Sequence, residues 1–224
     1  MILEIANIIT IFSTFCLIDR ALTRYTKLNG IYYLLHAIHN DVIVYLTAEE
    51  VLCSLTDFNY ILTSKKNMLA LEFVFALHFY HLALYWRKFQ FDDWIHHILM
   101  IGIVLPIGWV VDSKSLLGYA LFFTTGLPGS IDYVLLFLTR NNVLDKKYEK
   151  RINAYLNTWI RSPGCVSHAT LTMVLVSVLY TMFSLDWWLC VIAASSTLWN
   201  GQYFMRQVVE NNALHTQLQD KAMS

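Results

Sequence analysis

Residues 68–86 read MLALEFVFALHFYHLALYW, an apolar run broken only by Glu72, His78 and His81. A helix needs about 20 largely apolar residues to cross the hydrocarbon of a bilayer. The stretch is long enough, and it has no polar stripe of the kind that a half-buried helix of a water-soluble domain shows to solvent. It reads as a membrane-spanning helix.

The rest of the chain divides in the same way. Before it lie Ile2–Ile18, ending at Asp19-Arg20, and the more polar Leu28–Leu52, which carries His36, His39, Asn40, Asp41, Glu49 and Glu50. After it come Trp94–Val111, Leu116–Leu138, Gly164 to about Phe183, and Trp187 to about Met205, followed by a polar tail. The expectation is an all-α, polytopic transmembrane bundle of about seven spans, forming one integral domain over residues 1–224. Six spans, with Leu28–Leu52 partly in the interface, is the alternative. Composition agrees: 57% of the residues are hydrophobic and 14% charged, against about 25% charged in soluble domains. Formal net charge is zero, which argues against a nucleic-acid partner.

Basic residues orient this arrangement. With seven spans, one side holds Arg20, Arg24, Lys27, Arg87, Lys88, Arg140, Lys146, Lys147, Lys150, Arg151, Arg161, Arg206 and Lys221, and the other only Lys65, Lys66 and Lys114. The positive-inside rule then places the C-terminus in the cytosol. Asn141–Ile160 has apolar residues at near-helical spacing between its charges, and reads as an amphipathic helix on the cytosolic interface. Cys16, Cys53, Cys165 and Cys190 sit scattered in apolar segments and read as inert thiols.

The chemistry concentrates in the ionisable groups inside these segments. His36 and His39, and likewise His78 and His81, stand three apart and so share a helix face. His96 and His97 open a span just after Asp92-Asp93, and Glu72, Asp41 and Asp132 fall in or near spans. Such groups are costly in hydrocarbon unless they face a shared polar interior, which makes that interior the candidate site. Gly126-Leu127-Pro128-Gly129-Ser130 interrupts the fifth span just before Asp132, and Asn200-Gly201 is a lesser interruption of the seventh.

Asp92-Asp93-Trp94-Ile95-His96-His97 resembles a hallmark of the TLC-domain superfamily, which includes the ceramide synthases. The likeness runs from about residue 72 to 206. The second ceramide-synthase motif, a His-Asp pair with another Asp three residues on, is reduced here to Gly129-Ser130-Ile131-Asp132. The resemblance implies an endomembrane, endoplasmic-reticulum-like protein that handles lipids. It further implies N- or O-acyl transfer to a membrane lipid, with acyl-CoA as co-substrate and no bound cofactor or metal. In that scheme His97 or His96 removes the acceptor proton or carries the acyl group, and Asp93 or Asp132 holds the imidazole in its working tautomer. His78, His81, Glu72, Asp41, His36 and Asn200 are the expected substrate-binding groups. A metal-dependent lipid-modifying enzyme, a non-catalytic lipid-binding or structural membrane protein and a transporter are the competing readings. Oligomerisation is left open.

Overall fold

The computed structural model describes residues 2–179 and 187–223, and among these there is helix and no strand. Helix α1 spans Ile2–Tyr25, α2 Ile31–Thr56, the short α3 Phe58–Thr63, and α4 Met68–Tyr85, continued by a tight turn to Lys88. Helices α5 (Phe91–Leu99) and α6 (Leu105–Val110) form one rod, as do α7 (Leu116–Leu121) and α8 (Leu127–Arg140). A third rod joins α9 (Lys146–Leu156) to α10 (Ser162–Leu179), and α11 runs from Trp187 to Met223. Four stretches among the described residues are long and apolar enough to cross a membrane: Ile2–Tyr25, Met68–Lys88, Phe91–Val110 and Leu116–Arg140. Helices α2, α10 and α11 lie outside that set, and the end of the expected sixth span, residues 180–183, lies outside the described residues.

Each of the three rods is joined by a π-helical segment, Met100–Val104, Phe122–Gly126 and Asn157–Arg161. The three prolines of the chain, Pro106, Pro128 and Pro163, each stand two residues beyond one of these segments. Proline donates no backbone N–H and its ring presses on the preceding turn. Widening that turn into a π-bulge lets the helix continue. The interruption expected at Pro128 is therefore a bulge within a continuous rod rather than a break.

Helix α2 is the hub, packing against α1, α4, α7 and α8. Its buried face mixes polar and apolar groups: His36, His39, Asn40, Thr47, Glu50 and Ser54 are buried with Leu35, Ile43 and Val51, while Tyr45 is 85% and Leu52 65% exposed. The buried positions recur at three- and four-residue steps, so they form one stripe facing the bundle. Close approach to this stripe requires glycine on the facing rod. A Cβ on Gly118 would overlap the Glu50 carboxylate, and one on Gly129 would overlap the Asn40 amide. Ile43, Leu71, Val74, Leu105, Leu117 and Leu121 fill an apolar core shared by α2, α4, α6, α7 and α8's rod.

The 146–161 segment is helical, as expected, and one of its faces is buried against the bundle. Glu149, Asn153, Asn157 and Arg161 recur every fourth residue and are buried against the bundle, whereas Tyr148, Ile152, Tyr155 and Trp159 point outward. Lys146, Lys147 and Arg151 are exposed beside those apolar residues, and Ala154 and Leu156 are buried beside the polar ones.

Candidate functional site

Helices α2, α4 and α5 bring five imidazoles together. The i, i+3 spacing puts His78 and His81 on one side of α4, and the adjacent His96 and His97 of α5 each meet one of them. His78 Nε2 lies 3.4 Å from His96 Nε2, and His81 Nδ1 lies 3.2 Å from His97 Nε2. His36 stacks on His81 at 4.2 Å between ring centroids and on Tyr133 of α8 at 4.1 Å. Tyr32 covers His36 and His81, and Phe89 stacks on His97 at 4.4 Å. His36, His78, His81 and His97 are buried, and His96 is exposed at the edge of the cluster.

The backbone assigns the protons. A carbonyl can only accept, so the Nδ1–H of His36 donates to Tyr32 O (3.0 Å), that of His78 to Val74 O (2.7 Å) and that of His97 to Asp93 O (2.8 Å). With neutral rings, the Nε2 atoms of these three then carry bare lone pairs. His81 Nδ1–H must donate to His97 Nε2, and His96 Nε2–H to His78 Nε2. The chain of donors from His81 through His97 to the Asp93 carbonyl leaves one lone pair, on His81 Nε2, buried and without a partner. A buried acceptor so oriented is suited to take a proton from a bound hydroxyl or amine.

The other expected groups are placed elsewhere. The Asp93 side chain caps α5, accepting from Gln90 N at 2.9 Å, so its backbone carbonyl rather than its carboxylate holds His97. Glu72 is buried on α4 and accepts from Asn7 Nδ2 at 3.0 Å, facing α1. Asp41 accepts from Ser130 Oγ. Asp132 lies within electrostatic reach of Arg161, Asn200 stands on α11, and each keeps a buried oxygen that has no partner. His39 turns to Asn40 (2.9 Å), whose Oδ1 also accepts from Thr125.

Three contributors are absent from the sequence-based set. Tyr133 is stacked on His36 and stands next to Asp132 in sequence. Asp19, expected to end the first span, is buried inside α1 and accepts from both Tyr80 and Tyr85. Tyr85 in turn packs edge-on against Tyr32 at 4.8 Å, which ties α1 to the floor of the cluster. Arg161, counted from the sequence only among the basic residues of one side, carries a buried guanidinium. A residue written among charges gives no sign of facing inward, but the four-residue recurrence from Glu149 to Arg161 was available as a signal.

Among the described residues, no three His, Cys, Asp or Glu groups are arranged to hold a metal ion. An apolar groove of about 670 Å³ lies between α1, α4 and α6, lined by Ile5, Ile9, Phe12, Phe79, Leu82 and Trp109 among others.

The class these features define is an all-helical chain with four helices long and apolar enough to span a membrane and a buried imidazole cluster at its centre. Compared with known proteins, the chain matches no family model, no curated protein and no solved structure.

Proposed function

We propose that this chain is an integral membrane enzyme of the TLC type that transfers an acyl group from acyl-CoA to the amine or hydroxyl of a membrane lipid. The observation that carries the proposal is the gathering of His36, His78, His81, His96 and His97 from three helices, with a buried, unpartnered lone pair on His81 Nε2. In the proposed step His81 Nε2 takes the proton of the acceptor N–H or O–H. The acceptor atom bonds to the thioester carbonyl carbon, the carbon–sulfur bond breaks, and the CoA thiolate leaves and takes up the proton. His97, anchored on the Asp93 carbonyl, fixes the His81 tautomer. The groove beside α4 offers an apolar bed for the acyl chain.

Seven crossings of an endomembrane of the endoplasmic-reticulum kind, with the C-terminus in the cytosol, belong to this reading. The thirteen-to-three division of basic residues and the exposed Tyr45 and Leu52 of α2 support it. Acyl-CoA would then approach from the basic side.

The test is incorporation of labelled acyl groups from acyl-CoA into lipid by the purified chain in bilayers. His81→Phe keeps the ring that stacks on His36 and removes both nitrogens. It is expected to lower the rate by about 10²–10⁴-fold, the range of one general base, with the protein still folded. A folded His81→Phe protein at full rate would end the proposal.

The stacking of His36 between His81 and Tyr133 favours a second reading, a lipid-binding protein in which the imidazoles only join helices. In that case no acyl transfer is seen and His81→Phe changes thermal stability alone.

A further inference from the structure

Helix α9 and the π-helical segment after it carry two outward features side by side. Tyr148, Ile152, Tyr155 and Trp159 recur at three- and four-residue steps and are exposed, from 40% at Ile152 to 70% at Trp159. They therefore form one apolar stripe facing away from the bundle. Lys147 and Arg151, both exposed, stand four apart, each one residue before a member of the stripe, and so run along its edge. The acids of this stretch are engaged elsewhere. Asp145 caps α9, accepting from Lys147 N at 2.7 Å, and Glu149 is 1% exposed, with Lys150 at 3.4 Å.

The neighbouring connections add to the charge. Asn141 accepts from Asn29 N at 3.0 Å and donates to Asn29 O at 2.8 Å, which clamps the α1–α2 connection to the α8–α9 connection. Arg24 and Lys27 stand at the first of these, Arg140 and Lys146 at the second, all four exposed. With Lys147 and Arg151 they make six cations, and among the described residues none of the six forms an ion pair.

Like charges gathered without counter-charges repel one another, and an anionic surface relieves that repulsion. Tyrosine and tryptophan rings settle at the level of lipid headgroups, one end apolar and the other wet. A row of such rings beside a row of cations matches a leaflet of net negative charge, with the rings at the acyl boundary and the cations on the phosphodiesters. The stripe belongs to a chain with four helices long and apolar enough to span a membrane, so a headgroup layer is the surface within its reach.

We propose that the stripe of Tyr148, Ile152, Tyr155 and Trp159, edged by Lys147 and Arg151, is a docking surface for anionic phospholipids and gathers them there in preference to zwitterionic ones. The proposal rests on the chain lying in a bilayer and is independent of acyl transfer.

The experiment reads lipid contact one turn beyond Arg151, in bilayers that mix phosphatidylglycerol and phosphatidylcholine with one or the other brominated. Tyr155→Trp in the full chain supplies the reporter, and the quenching it adds over the parent chain is the signal. Phosphatidylglycerol keeps the phosphodiester charge and has no ammonium. It is expected to outcompete phosphatidylcholine by at least about fivefold at low salt, the contribution of one Lys or Arg beside an anionic surface. The preference should fall towards one as salt is raised. Adding Lys147→Gln and Arg151→Gln should remove most of it and leave quenching by brominated phosphatidylcholine alone unchanged. Equal competition by the two lipids at low salt overturns the proposal, and so does an undiminished preference in the folded chain with both glutamine changes. Quenching by neither lipid also overturns it and assigns the stripe to a protein partner. Each of these results can stand with acyl transfer present or absent, so the two proposals fail separately. Should the doubly changed chain not fold, the salt dependence of the preference decides.

Discussion

Replacing Tyr80 by phenylalanine tests how the polar interior is held. Asp19 is 6% exposed and its Oδ2 accepts from Tyr80 Oη and Tyr85 Oη, both at 2.5 Å, while Thr23 is at 3.5 Å from Oδ1. Short O–H···O⁻ bonds are among the stronger ones in proteins. The phenylalanine ring fills the same space and keeps its contact with Phe15 at 5.8 Å, so no cavity opens and the hydroxyl alone is lost. A hydrogen bond to a charged group contributes about 1.5–3 kcal/mol. For a chain of this size each kcal/mol moves Tm by about 2–4 °C, which gives a fall of about 3–12 °C. The assay is thermal unfolding in one detergent, followed by intrinsic fluorescence, for the parent, Tyr80→Phe, Asp19→Asn and the double variant. The two changes remove one interaction, so their effects should be less than additive by about 1 kcal/mol or more. A Tm change under about 1 °C for Tyr80→Phe, or strict additivity, would refute the reasoning.

Three further outcomes are expected. Gly129→Ala drives a methyl into the Asn40 amide and disturbs its bond from Thr125; a loss of about 1–3 kcal/mol by thermal unfolding is expected. Lys66 donates to the carbonyls of Gly108, Trp109 and Val111 at 3.1, 2.6 and 2.8 Å, closing the end of α6. Lys66→Met should cost about 1–3 kcal/mol by the same measurement, because those carbonyls lose a charged donor. Trp159 is 70% exposed on the outward edge of its helix, so in a variant with Trp159 as its only tryptophan, brominated lipids should quench the fluorescence strongly, and aqueous iodide weakly.

How far the sequence could be read depended on which property was asked of it. Apolar run length settled that the chain is helical, and the positions of Met68–Trp86 and Leu116–Leu138 agree with α4 and the α7–α8 rod to within a few residues. The i, i+3 spacing of His78 and His81 was enough to put both on one face. Helix lengths and same-face pairs are local, set by the hydrogen-bond geometry of neighbouring residues. The three prolines could be read only as interruptions, since whether a turn breaks or widens depends on what packs around it.

Pairing between helices belongs to the tertiary structure. Nothing local distinguishes Glu72, which turns to Asn7, from His81, which turns to His97, although they lie on the same helix. Asp19 looked like the end of a span until two tyrosines more than 60 residues away supplied its donors, and Arg161 looked like one more basic residue of one side until Phe204 of α11 covered it. A buried polar group is tolerated only where partners from other helices meet it. The sequence by itself therefore determined which segments are helical and which carry ionisable groups. Only the packing of those helices decided which groups meet, because that depends on long-range contacts that no window of residues contains.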